Sequence, residues 1–246
     1  MSWRVGLIDS CGGALEGLEA APLKNASWVA DAAAFAANDG RIECRETVAD
    51  PTGHGSRIAE LLISGRSVEL LLGQVFTTIG PTSGAAVAAA IDWAVARRVG
   101  LIHLSLGLTG DRAVLCSAVQ RAIDAGCIIV AATPARGTSV YPAAYPGVIR
   151  ATGDARCAPH ELSALRPWFF GGCPRLEITN LAANRRADGR ESGGASIGAA
   201  WVSHVILQEP PLAASAAVEA LTARAKYLGP EHRTPASSAN PSVEGL

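Results

Sequence analysis

The sequence predicts an α/β fold: a mainly parallel central sheet with helices on both faces. Three observations carry that prediction. First, the apolar runs at 5–8, 68–76, 101–104 and 127–132 are continuous rather than alternating, as in strands buried on both sides. Second, helical patterns lie between these runs, the arrangement that builds parallel sheets. Third, the 246 residues are 49% hydrophobic but only 5% aromatic, so small side chains must do much of the packing of helix on sheet.

Each element has a local reason. Run 5–8 is a short apolar strand ending on Asp9. Residues 54–64 read as a helix, with Ile58, Leu61 and Leu62 at helical spacing. Residues 68–76 form a buried strand. Residues 83–98 form a helix that Ser83 can cap, with Arg97 and Arg98 in the last turn, where the dipole favours cations. Residues 101–104 are the next strand, and 111–125 a helix stopped by Gly126. Residues 127–132 are again a strand, and 195–207 and 213–226 are helical. The stretch 137–193 is irregular and rich in Gly, Pro and polar residues, a place for binding loops. The expected organisation is one domain over 1–228 and a flexible tail over 229–246.

Composition excludes several function classes. Lysine and arginine number 21 against 22 acids, a net charge of −1, which argues against nucleic acid or a charged membrane surface as partner. There is no basic stretch followed by an apolar leader, and no apolar run of membrane-spanning length. Six scattered cysteines without a CxxC pair read as reduced thiols, so the expected compartment is the cytoplasm. Neither zinc spacing nor a calcium-type acidic loop is present, and the sequence calls for no metal and no cofactor.

Three segments carry chemistry. Asp9 stands at the carboxyl end of a buried strand, where α/β sheets place ligands. His54 opens a helix between Gly53 and Gly55, which allow close approach. Ser196 opens another helix after Gly193-Gly194, where free N–H groups and the dipole favour an oxyanion. Asp, His and Ser in this order suit a nucleophilic triad: Ser196 attacks, His54 takes and returns its proton, and Asp9 orients the imidazole.

These segments resemble the subtilases, the subtilisin-like serine proteases. The matching motifs are Val-Gly-Leu-Ile-Asp9-Ser, Gly-His54-Gly-Ser-Arg-Ile-Ala, Ile-His-Leu-Ser105-Leu106-Gly107, the run from Tyr141 to Ile149, and Gly194-Ala-Ser196-Ile-Gly-Ala-Ala. The resemblance implies a seven-stranded, mainly parallel sheet and a serine endopeptidase. It also implies that Ser105, Leu106 and Gly107 pair with the substrate backbone. Three positions depart from the family pattern. Ser56 replaces a threonine after His-Gly, and Ala195 replaces the threonine before the nucleophile. Ala135 stands where the family carries an oxyanion-binding asparagine, a loss that costs about 10²–10³ in turnover in subtilisin itself. Thr133 and Asn180 are the candidate replacement donors. Arg136 falls beside the first specificity pocket, where it would favour an acidic group; the alternative is a solvated loop arginine.

His103, His160, His204 and His232 lack a partner pattern and read as structural or exposed, and Cys11 as a packed small residue. Trp168-Phe169-Phe170 reads as core or as a loop anchor. Nothing matches the N-terminal inhibitory segment usual in the family. Together with Ala135, this gives the expectation of a narrow maturation protease that removes a leader from one dedicated protein partner. The competing expectation is a pseudo-protease that binds peptides without cutting them.

Overall fold

The computed structural model describes residues 2–12, 29–64, 68–176 and 194–231. Ten strands form one sheet: β1 (Trp3–Asp9), β2 (Val29–Asn38), β3 (Arg41–Arg45), β4 (Val68–Gln74), β5 (Leu101–Leu104), β6 (Ile128–Ala132), β7 (Ile149–Gly153), β8 (Leu162–Arg166), β9 (Phe169–Gly172) and β10 (Tyr227–Leu228). The helices are α1 (His54–Ile63), α2 (Gly84–Ala96), α3 (Ala113–Asp124), α4 (Ala195–Ile206) and α5 (Ala214–Arg224). Strand order is β10-β8-β9-β7-β6-β5-β1-β4-β2-β3. Among the described residues, the β2–β3 and β8–β9 strand pairs are antiparallel and the others parallel.

The period of two along each strand divides the core. Val5 and Leu7 of β1, Leu70 and Leu72 of β4, and Val130 of β6 face a layer holding α1, α4 and α5. Ile8, Leu71, Ile102, Leu104 and Ile129 face the layer of α2 and α3. Fully burying each such side chain stabilises the fold by roughly 1.5–3 kcal/mol, and burial on both faces explains why these strands are continuous apolar runs.

The expected helices and apolar strands are all present, with ends shifted by a few residues. Ser83 Oγ accepts from Ala86 N at 3.1 Å, and Gly126 is left-handed at φ 83. The seven-stranded expectation is corrected to ten. An alanine-rich strand, β2, reaches β3 through the turn Asp39-Gly40, where both residues have positive φ as a two-residue hairpin requires. The stretch expected to be irregular contains β7, β8 and β9. There Phe170 is core, Trp168 sits in the hairpin turn at φ 59, and Phe169 lies under the Arg150 guanidinium. Of the expected tail, residues 229–231 are described: Gly229 N donates to Ala164 O, and Arg156 donates to Gly229 O. Residues 232–246, with His232, lie outside the described residues, as do Asn180, Ser192 and Gly193.

β1 lies between β4 and β5: the chain builds β2, β3 and β4 on one side of it, then crosses from β4 to β5 and continues on the other. Such a switch point opens a crevice at the carboxyl ends of the strands, and Asp9 is the last residue of β1.

Candidate active site

Asp9 is nearly fully buried, and its Oδ1 accepts from Ser10 N at 2.7 Å and lies 2.8 Å from His54 Nδ1. His54 reaches it because α1 starts there: Gly53 is left-handed at φ 65, and the helix begins at the next residue. The helix also runs close to β1. A Cβ on Gly55 would lie 2.4 Å from Cys11 N and 3.1 Å from Asp9 Oδ1, so only glycine fits.

Four residues before His54, Asp50 holds the start of α1. Its carboxylate accepts from Gly53 N, Ser56 N and Ser56 Oγ at 2.8–2.9 Å, and from Thr52 N at 3.1 Å. Burial alone would raise its pKa, but the Ser56 N–H and hydroxyl, with further donors, outweigh it and hold the carboxyl below its ordinary value. Ser10 ties the same turn to β1, its Oγ 3.0 Å from Thr52 Oγ1 and accepting from Gly55 N at 3.0 Å.

Ser196 is the second residue of α4, after Gly194 at φ 98. Its hydroxyl donates to the carbonyl of Ser105 at 3.1 Å, and the Ser105 hydroxyl donates back to the Ser196 carbonyl at 3.5 Å. Ser105, Leu106 and Gly107 follow directly on β5. Leu108 then exchanges two 2.8 Å backbone bonds with Tyr141, which braces the segment.

A cleft of about 690 Å³ opens beside these groups. Asp9, Ser10, Thr52, His54 and the Ser105–Leu108 segment line one part of it, with Phe76, Ile79, Pro81 and Arg57 around the rest. The structure therefore brings Asp9, His54, Ser105, Leu106 and Gly107 to one cleft and connects Ser196 to it through Ser105. Arg136 lies in the exposed turn after β6 with Ala135, and neither is among the cleft-lining residues. Thr133 is buried, with its N–H on Ala151 O at 2.8 Å. The Cys11 thiol is buried, and burial together with the Asp9 and Asp50 carboxylates pushes its pKa well up. Among the described residues, no group of three or more His, Cys, Asp or Glu side chains is placed to hold a metal ion.

Sequence reasoning missed Asp50, Arg57, Phe76 and Ile79 as parts of the site. Asp50-Pro51-Thr52-Gly53 carried the signal for the first, an acid placed to accept N–H groups at a helix start. Arg57 follows His54 by three residues, one helical turn on the same face.

No family model matches the chain. Curated relatives do. The minor extracellular protease Epr of Bacillus subtilis (strain 168) is 29% identical over 182 residues, covering 66% of this chain and 27% of that protein. A thermostable alkaline protease of Halalkalibacterium halodurans is 34% identical over 148 residues, covering 55% of this chain and 39% of that protein. Subtilisin DY of Bacillus licheniformis is 25% identical over 206 residues, covering 73% of each. The chain is thus similar to subtilisin-like serine proteases. The chain matches well under half the length of the first two relatives and about three-quarters of the third. Solved structures agree on the fold. A cold-adapted subtilisin-like serine proteinase superposes with TM-score 0.63 at 17% identity, covering 91% of this chain and 82% of that one. The prenylagaramide maturation protease PagA gives 0.54 at 18%, covering 85% and 78%.

Proposed function

We propose that this chain is a subtilisin-like serine endopeptidase that uses Asp9, His54 and Ser196, and that it matures one dedicated protein partner. The observation that carries the reading is the 2.8 Å Asp9–His54 contact at the sheet switch point, with the Ser196 hydroxyl held on the carbonyl of Ser105, which lines the same cleft. The imidazole accepts the Ser196 proton as Oγ attacks the scissile carbonyl, then gives it to the leaving amine. Water deacylates the serine by the reverse sequence. The Asp9 carboxylate holds the tautomer whose Nδ1–H faces it. Before attack the Ser196 hydroxyl leaves the Ser105 carbonyl, which is then free to accept a substrate N–H.

Selectivity for one partner is supported by the restricted chemistry of the cleft, apolar at Phe76, Ile79, Pro81 and Leu106 with the cation Arg57 beside them, and by the likeness to a protein named as a maturation protease. Leader removal of the kind used in quinohemoprotein amine dehydrogenase biogenesis is one such task. Six unpaired thiols favour a reducing compartment, and we place the protein in the cytoplasm. No described helix is long and apolar enough to cross a membrane.

Ala135, a methyl group at the family's oxyanion-donor position, favours a second reading, a peptide-binding pseudo-protease. A fluorophosphonate probe separates the two. Labelling of Ser196 that disappears in Ser196→Ala is the outcome expected of the enzyme; a folded protein that never labels is the pseudo-protease. Incubation with candidate partners, read by mass spectrometry, should then give one new terminus. A ladder of unrelated cuts would contradict maturation.

A further inference from the structure

We infer that His103 is a positioning residue for Ser196, a clamp that fixes the rotation of α4 by gripping one face of it at two points. The consequence for catalysis rests on the protease reading; the clamp itself does not.

His103 is fully buried in β5. Its neighbours Ile102 and Leu104 point into the layer of α2 and α3, whereas Leu101 points to the side of α1 and α4. Strand alternation puts His103 with Leu101, on the α4 side. There its Nδ1 lies 2.8 Å from Ser203 Oγ, and its Nε2 lies 2.6 Å from Ser105 Oγ. The Ser105 hydroxyl donates on to the Ser196 carbonyl, and the Ser105 carbonyl accepts from Ser196 Oγ. One imidazole is therefore joined to α4 at Ser203 directly and at Ser196 through a single residue. Ser196 and Ser203 are seven residues apart, two turns, and so share one face about 10 Å apart along the axis. Two attachments on one face set both the height of the helix and the direction in which its first-turn hydroxyl points.

A structural role alone would not call for a histidine here. This face of the sheet is otherwise built from Leu101, Ile128 and Val130, and a hydrogen-bonded group replaced together with its partners by apolar groups of similar shape can be nearly neutral for stability. The polar choice makes sense as a device for orientation. Burial, the dominant cause, pushes the His103 pKa down to about 4, with the Asp9 charge opposing it and His54 adding to it, so the imidazole is neutral at physiological pH. It then offers one N–H and one lone pair to two hydroxyls that can rotate to suit.

The test compares wild type, His103→Leu, His103→Gln and Ser203→Ala on the full chain. Hydrogen exchange of the α4 amides reports the clamp whether or not the protein cuts anything. In His103→Leu these amides should exchange at least tenfold faster while those of α3 stay unchanged, and in Ser203→Ala at least threefold faster. The fluorophosphonate reaction reports the consequence. The maximal rate of Ser196 modification should fall at least tenfold in His103→Leu, with half-saturation within twofold of wild type, and His103→Gln should recover at least threefold. Should His103→Leu not fold, Ser203→Ala carries the same comparison. Exchange in α4 within twofold of wild type, or a rise shared equally with α3, overturns the clamp. A wild type that never labels while the exchange contrast holds overturns the protease reading and leaves the clamp standing.

Discussion

Asp50 sets where His54 stands by holding the turn around it. Its carboxylate takes up the N–H groups of Gly53 and Ser56, which a helix start would otherwise leave unpaired. Removing it in Asp50→Ala should destabilise the protein by about 1–2 kcal/mol, the usual worth of a capping side chain, measured by urea denaturation at pH 7. The folded pKa lies below the ordinary 3.8, so the contribution of Asp50 is complete above that value and is lost as pH falls through the folded pKa. The stability gap between wild type and variant should therefore close in that acid window; a gap constant down to pH 2 would mean that the carboxylate charge plays no part. At this scale the sequence was partly legible. Asp9, His54 and Ser196 each stand at the end of a strand or the start of a helix beside permissive glycines, and that is visible in one dimension. Asp50 and His103 act through partners that only the fold supplies: His103 meets Ser203 across 100 positions of chain.

Among the elements, α4 shows how closely the site is held. A Cβ on Gly198 would lie 2.1 Å from Thr152 O, so the helix sits against the backbone of β7 with no room for a methyl group. Gly198→Ala should push α4 off the sheet and lower stability by about 1–3 kcal/mol, the range for overpacking. Fluorophosphonate labelling of Ser196, two residues away, should slow several-fold even in the fraction that stays folded. Full labelling speed at reduced stability would show that the helix start tolerates the shift. The helices and the doubly buried strands were legible because capping, stop signals and continuous apolar runs are local. The β2–β3 hairpin was not, because its strand is mostly alanine, a weak strand former, and its one clear signal was the Asp39-Gly40 turn. β8 and β9 are short and flank a proline, and β9 ends on two glycines.

In the whole molecule, one sheet separates two apolar layers, and its carboxyl edge carries Asp9 and Ser105, with the starts of α1 and α4 above it. Strand order could not be read from local pattern, since it depends on which apolar runs pair, yet it is what creates the crevice at the carboxyl end of β1. A shared sheet also implies that the two layers unfold together, and the cysteines can report this. Cys44 and Cys116 are exposed, while Cys173 lies in the layer of α1, α4 and α5 and Cys127 in that of α2 and α3. An aromatic disulfide reagent should titrate two thiols at once in the native protein. The buried thiols must wait for opening, and burial raises the pKa of Cys127 and Cys157, the latter to about 12, so neither forms thiolate in place. If the sheet makes one cooperative unit, Cys127 and Cys173 react at the same rate, set by the unfolding equilibrium, and urea accelerates both with the same slope. Faster labelling of Cys173 alone would mean that the layer carrying Ser196 opens by itself, and the site would then be held by its local clamps rather than by the sheet.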